Sequence, residues 1–64
     1  MISSVEVLRA LRDDGWKIVR QRGSHVQLRY PIKAGLVTVP SPKKDLPLGT
    51  VRGIEKQSGL KFRP

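Results

Sequence analysis

His25 is the only histidine in the sequence, and it directly follows the run Arg20-Gln21-Arg22-Gly23-Ser24. Histidine exchanges protons near neutral pH, so it can serve as a general base or a general acid. Arginine side chains bind phosphate oxygens through paired hydrogen bonds, and a turn glycine lets a bulky ligand approach the backbone. The combination indicates cleavage of a nucleic acid by one imidazole. The plainer alternative is an incidental histidine on a basic binding surface.

The charge of the chain favours a polyanionic partner. Its 64 residues include 13 Lys and Arg against 5 Asp and Glu, which gives a formal net charge of +8. Nucleic acid is the common partner of such a domain, and solubility alone is the alternative explanation. A membrane surface is a less favoured partner. Neither predicted helix has lysines on one face and large apolar residues on the other, which is the pattern of a helix that lies on a membrane. The sequence has no long apolar run, so we expect a cytoplasmic protein without a membrane partner.

The residue types also exclude several kinds of site. One histidine and no cysteine leave almost no possibility of a structural zinc site or a disulfide. Five scattered acidic residues argue against a two-metal nuclease, and neither a Ser–His–acid triad nor a Walker-type phosphate loop is recognisable. We therefore expect no metal and no cofactor. The length allows one domain, residues 1–64, with a small core that a protein partner would stabilise.

Local signals predict the order helix, three strands, helix. Ser3 and Glu6 form a capping box, and Gly15 is a natural helix stop, so the first helix spans about residues 4–14. Gly23-Ser24 suits a two-residue hairpin turn of type II′. Pro47 and Gly59 are placed to begin and end a second helix, whose apolar positions recur every three residues. The predicted strands are residues 16–21, 25–30 and 36–39.

These elements predict an α+β fold, with two helices packed on one face of a three-stranded antiparallel meander. If Gly23-Ser24 is the whole turn, Arg22 lies opposite His25. A regular pairing of the first two strands then places Arg20 opposite Gln27 and Ile18 opposite Arg29. A three-residue turn would instead exchange the two faces of the first strand and remove Arg20 and Arg22 from the set. In the two-residue register the solvent face carries Arg20, Arg22, His25, Gln27 and Arg29, and the core face receives Val19, Val26, Leu28 and Tyr30.

The solvent face of the sheet could cleave RNA, which contains its own nucleophile in the ribose 2′-hydroxyl. His25 would remove that proton, while arginines and the backbone N–H groups of Gly23 and Ser24 would bind the non-bridging oxygens. Lys43 and Lys44 could hold the RNA backbone from the loop before the second helix. Trp16 could stack on a base but is better explained as a core residue. Tyr30 is also expected in the core, with its hydroxyl at the edge. The proton for the leaving oxygen could come from His25, from a lysine or from water.

The assembled pattern resembles the HicA toxins, also called the YcfA-like family. The resemblance implies a double-stranded-RNA-binding-domain-like (dsRBD-like) α-β-β-β-α fold and an endoribonuclease that cleaves mRNA. It also implies neutralisation by a HicB-type antitoxin and places the family's catalytic histidine on His25. Many members carry a further histidine after the third strand, where this chain has Pro40-Ser41-Pro42-Lys43-Lys44. The matching segments are Gly15-Trp16, Arg20 to His25, Val37-Thr38-Val39-Pro40, Gly49-Thr50-Val51-Arg52, Ile54 and Gln57-Ser58-Gly59.

Two other classes of function remain open from the sequence. A non-catalytic RNA-binding module needs only the charge and the fold, and it would give His25 no special role. A subunit that docks onto an acidic protein would bind that partner and not RNA. The Gly23-Ser24-His25 turn favours the enzyme, because binding alone does not require it.

Overall fold

The computed structural model describes residues 2–32 and 35–62. The predicted order of elements is confirmed, and the strands form one antiparallel sheet in the order β1-β2-β3. The predicted second turn at 31–35 includes Lys33 and Ala34, which lie outside the described residues. The elements are α1 (Ser4–Asp14), β1 (Lys17–Arg22), β2 (His25–Arg29), β3 (Leu36–Pro40) and α2 (Leu48–Ser58).

Helix α1 begins and ends where its capping residues predict. The N–H of Glu6 donates to Ser3 Oγ over 3.2 Å, and the N–H of Ser3 donates to Glu6 Oε1 over 3.1 Å. Two hydrogen bonds from Ser3 lower the pKa of Glu6. The bond from the Ser3 backbone has the larger effect, and the bond from its side chain has the next largest. Gly15 ends the helix at a φ of 114°, and a Cβ there would lie 2.5 Å from Tyr30 Cε1. Backbone conformation and space therefore both require glycine at this position.

Helix α2 follows Pro47 and ends at Gly59, which has a φ of 80°. The N–H of Gly59 donates to the Glu55 carbonyl over 2.8 Å, as expected for a glycine that terminates a helix. The Glu55 carboxylate also accepts a 2.7 Å hydrogen bond from the N–H of Phe62. This contact folds the C-terminal segment back onto the helix, and the Phe62 ring is buried in the core.

Both helices pack on the same face of the sheet, as predicted. Strands β2 and β3 alternate between buried and less buried residues, which is the pattern of a sheet with one covered face. The two helices supply the opposing apolar residues, and their burial is the main stabilising contribution to so small a domain. The core comprises Val26, Leu28, Val37 and Val39 from the sheet, Val7, Leu11, Val51 and Ile54 from the helices, and Trp16, Leu46 and Phe62 outside them.

Strand β1 departs from the predicted register. A bulge between Ile18 and Arg20 inserts one extra residue, so Ile18 pairs with Leu28 and Lys17 pairs with Arg29. The prediction that Ile18 lies opposite Arg29 is therefore wrong. The placement of Val19 in the core is also wrong, because this side chain is 54% exposed at the bulge of an edge strand.

Strands β2 and β3 begin where predicted, whereas both bounds of β1 and the last residues of β2 and β3 differ by one residue from the prediction. Trp16 precedes β1 and is buried in the core, where its ring centroid lies 5.5 Å from that of Tyr30. Tyr30 follows β2 and is half-buried at the edge of the core. The core assignment of Trp16 is thus confirmed, and Tyr30 packs against the core at its edge, as predicted. Strand β3 includes Pro40, which has no N–H for a further ladder bond and ends the strand.

Candidate active site

The hairpin turn that precedes His25 has the predicted two-residue form. Arg22 pairs directly with His25, so Gly23 and Ser24 are the whole connection. Gly23 has a φ of 56°, whereas no described residue other than glycine has a positive φ. A type I′ turn requires a positive φ at both residues, so the turn is of type II′. The three-residue alternative, with the faces of β1 exchanged, is excluded.

Cross-strand pairing places the candidate site residues in three rows on the uncovered face of the sheet, since directly opposed residues share a face. We call this surface the open face. Arg20, Arg22, His25 and Arg29 are exposed on it, and Gln27 is half-buried. The near row is Arg22, His25 and Pro40, the middle row is Arg20, Gln27 and Thr38, and the far row is Lys17, Arg29 and Leu36.

The open face brings the imidazole and the guanidinium groups within reach of one ligand. Paired residues of an antiparallel sheet have Cα atoms about 5 Å apart, so a phosphate can contact both Arg22 and His25. None of the residues in the three strands of the described chain is acidic. The arginines therefore have no carboxylate neighbour within the sheet to neutralise them, and they are available to an anion.

The carbonyl oxygens of the turn accept two hydrogen bonds. The side-chain amide of Gln21 donates to the Gly23 carbonyl over 3.5 Å. The N–H of Ser41 donates to the Ser24 carbonyl over 2.6 Å, which ties the segment after β3 to the residue before His25. The Gln21 contact is long, so the short Ser41 bond is the one that holds the turn and the residue before His25 in place.

Lys43 and Lys44 lie in a loop that is attached to the helical layer. The N–H of Lys43 donates to Ser4 Oγ over 2.9 Å, and the N–H of Ser4 donates back to the Lys43 carbonyl over 2.9 Å. Ser4 is fully buried at the first turn of α1. Both lysine side chains are exposed, but the structure does not bring them into the three rows of the open face. The loop that carries both lysines lies beside the start of α1, at the end of the sheet where the hairpin turn lies.

Sequence reasoning missed Lys17, Thr38 and Ser4. Lys17 reaches the open face only because of the bulge, and the adjacent apolar pair Ile18-Val19, which breaks the alternation of β1, was the available signal. Thr38 lies opposite Gln27 through the β2–β3 register. Ser4 was read only as the first residue of the helix, and nothing in its local sequence indicates a contact with Lys43.

Two further properties bear on the chemistry of the site. Within residues 2–32 and 35–62, no group of three or more acidic or histidine side chains is arranged to hold a metal ion. Neither helix in that part of the chain is long and apolar enough to cross a membrane.

Comparison with known proteins identifies the family. Residues 4–60 match the model of the HicA toxin of bacterial toxin–antitoxin systems. A solved chain from a HicA3 and HicB3 toxin–antitoxin complex is 35% identical and superposes with a TM-score of 0.83, covering 97% of this chain and 100% of that one. No curated protein matches the sequence significantly. The family match spans both helices and all three strands, and the fold agrees with that of the solved chain. This chain therefore belongs to the HicA toxin family.

Proposed function

We propose that this protein is an endoribonuclease toxin that cleaves mRNA in the cytoplasm without a metal ion, with His25 as its general acid and base. The observation that carries the proposal is the pairing of an exposed His25 with Arg22 on a sheet face without acidic residues. RNA supplies its own nucleophile, the ribose 2′-hydroxyl beside each phosphodiester. The protein must then supply at least a group that transfers protons and a positive charge that stabilises the phosphorane.

The reaction is an internal transesterification. His25 takes the proton of the ribose 2′-hydroxyl, and the 2′-oxygen forms a bond to the adjacent phosphorus. The bond from phosphorus to the 5′-oxygen then breaks, and that oxygen takes up a proton as it leaves. The products are a fragment with a 2′,3′-cyclic phosphate and a fragment with a free 5′-hydroxyl. No other co-reactant is consumed, because the proton removed in the first step balances the proton supplied in the second.

The charge that develops on the phosphorane needs donors close to His25. Arg22 is the nearest of these, since it lies directly opposite His25 across the hairpin. The backbone N–H groups of Gly23 and Ser24 are the second set, in the turn that adjoins both residues. Arg20, Gln27 and Arg29 lie farther along the open face and hold the flanking RNA. Lys43 and Lys44, on the loop beside α1 and outside the three rows, add positive charge at the turn end of the sheet.

The leaving 5′-oxygen receives its proton from His25 in this proposal. The chain has no second histidine, so the imidazolium formed in the first step is the strongest acid placed near the reacting phosphate. Lys43 or Lys44 would supply the proton only if the loop that carries them turned toward the open face. A charge-conserving substitution to arginine at both lysines separates these roles, because arginine keeps the charge and does not give up a proton.

We further propose that a HicB-type antitoxin neutralises this toxin by covering the open face. The similar solved chain comes from a complex of HicA3 with HicB3. A surface with four exposed cations and no acidic residue in its strands is complementary to an acidic partner. Acidic side chains placed over Arg20, Arg22 and Arg29 would exclude RNA and shield His25 at the same time. A complex that blocks activity and leaves His25 open to solvent would contradict this proposal.

The test compares the wild-type protein with His25→Ala in the presence of EDTA, using a labelled mRNA fragment. We expect alanine to lower the cleavage rate by about 100-fold or more, because general acid–base catalysis contributes at least that much. RNA binding should remain, since alanine removes a proton carrier and no fixed charge. Gln57→Ala, on the exposed surface of α2, is the matched control and should cleave like the wild type. Equal cleavage by wild type and His25→Ala would refute the role of His25.

The second candidate function is a non-catalytic RNA-binding module, which the cationic open face alone would support. It predicts that RNA stays intact, that binding weakens steeply with salt, and that His25→Ala binds like the wild type. The EDTA assay separates the two candidates, because only the enzyme yields a fragment ending in a cyclic phosphate.

A further inference from the structure

The bulge in β1 determines which side chains occupy the far end of the open face. In a regular strand that starts from the Arg22–His25 pair, Ile18 would lie opposite Arg29 and Lys17 would lie on the other face. Because Val19 is an extra residue in β1, Lys17 lies on the open face instead, where it pairs with Arg29. Bulges commonly redirect a side chain next to a functional site. Here the bulge places two cations in the far row, at the opposite end of the hairpin from the turn.

The cations on the hairpin are spaced regularly along the strand direction. The near row contains Arg22, the middle row Arg20, and the far row Lys17 with Arg29. Successive rows are two residues apart on β2, which is about 7 Å in an antiparallel strand. One nucleotide of an extended single strand spans a similar length, so each row can hold one phosphate. A charged groove that follows the backbone in this way is typical of single-strand binding.

The β3 side of the same rows carries no charge. Pro40, Thr38 and Leu36 complete the near, middle and far rows, and all three are half-buried. Phosphates lose hydration without compensation on such a surface, whereas the apolar parts of riboses and bases do not. The charge is therefore confined to β1 and β2, and the neutral strip lies beside it along β3. This asymmetry orients a nucleic acid strand parallel to the hairpin and not across the sheet.

We propose that three consecutive phosphates of a single-stranded RNA lie along the β1–β2 hairpin, with the scissile phosphate at His25 and a remote phosphate bound by Lys17 and Arg29. This proposal rests on the proposed function, because it takes the near row as the site of cleavage. His25 lies at one end of the track, so the bound phosphates extend from the scissile bond in one direction only. Lys17 is then a substrate-binding residue two nucleotides away from the chemistry.

The test uses DNA oligonucleotides that contain a single ribonucleotide and hence a single cleavable bond. The shortest is a dinucleotide, and two longer ones carry three extra deoxynucleotides on either the 5′ or the 3′ side. We expect one of the two extensions, and not the other, to raise kcat/KM for the wild type. Lys17→Gln should reduce that gain and make the slope of log kcat/KM against log salt shallower by about 1 for the extended substrate, since it removes one phosphate contact. Lys56→Gln, which removes an exposed cation from α2, is the matched control and should keep the full gain.

Fluorescence anisotropy with the same oligonucleotides in all-deoxy form separates this proposal from the cleavage mechanism. If the wild type cleaves nothing, but the extended oligonucleotides bind more tightly than the dinucleotide in a manner that depends on Lys17 and not on Lys56, the phosphate track stands and the enzyme proposal fails. The track is overturned if Lys17→Gln keeps the full gain from extension in cleavage and binding. Where the wild type cleaves, the track is also overturned if both extensions, or neither, raise kcat/KM.

Discussion

The two faces of strand β2 carry opposite chemistry on neighbouring residues. Val26 and Leu28 point into the core and are 3% and 0% exposed, whereas His25, Gln27 and Arg29 belong to the open face. The apolar residues belong to the same buried core as residues of both helices, and their burial contributes stability. On the polar face His25 and Arg29 are exposed and Gln27 is half-buried, so this face is accessible to a ligand. Stability and function are thus separated by a single step along the strand, so substitutions on one face should leave the property of the other unchanged.

The largest effect is expected from Leu28→Ala. The leucine is fully buried between sheet and helices, and its truncation should lower the free energy of unfolding by about 2–5 kcal/mol. Gln27→Ala is the matched control on the adjacent residue and should change it by less than about 0.5 kcal/mol. Urea denaturation followed by Trp16 fluorescence measures both. Similar losses in the two variants would show that the faces are not separated as described.

A smaller effect is expected where the helical layer holds the loop that carries Lys43. Ser4→Ala removes the buried hydroxyl that accepts the hydrogen bond from the N–H of Lys43, and it should cost about 1–3 kcal/mol of unfolding free energy. Ser41→Ala is the control, because the bond between the Ser4 and Ser41 hydroxyls is long, at 3.4 Å, and Ser41 is only half-buried. The same denaturation assay applies. Equal losses in both variants would mean that the Ser4–Lys43 contact does not anchor the loop.

The smallest effect on stability, with a selective effect on binding, is expected from Arg22→Gln. The side chain is exposed, so the free energy of unfolding should change by less than about 0.5 kcal/mol. RNA binding should weaken, and the slope of log K against log salt should become shallower by about 1. Arg52→Gln on the exposed surface of α2 provides the control for charge alone. An identical loss of binding in both variants would indicate that RNA responds to net charge and not to the open face.

Most of the fold followed from short stretches of sequence. The capping box at Ser3 and Glu6, the stop at Gly15 and the turn at Gly23-Ser24 are each specified by a few adjacent residues, and all three are confirmed. The alternation of β2 identified its buried face for the same reason. The candidate site was also found largely from sequence, because His25 and its two arginines flank a two-residue turn whose geometry fixes their pairing.

The bulge in β1 and the contact between Ser4 and Lys43 could not be predicted, because both depend on contacts between segments that are distant in the sequence. Val19 and Ile18 are both good strand formers, and their sequence does not say which of them a bulge will displace. That choice depends on the register in which β1 pairs with β2. The contact of Ser4 with Lys43 joins residues 39 positions apart, and no local sequence pattern predicts it.

The sequence by itself determined the order of the elements, the position of the hairpin turn and the presence of a single imidazole in a cationic setting, because each depends on neighbouring residues. Only the tertiary structure decided that Lys17 joins Arg29 on the open face, that Val19 is exposed and that Lys43 is anchored to α1. The physical reason is the two-residue period of a strand. One inserted residue reverses every side chain beyond it, and the pairing of the whole sheet selects the place of that insertion.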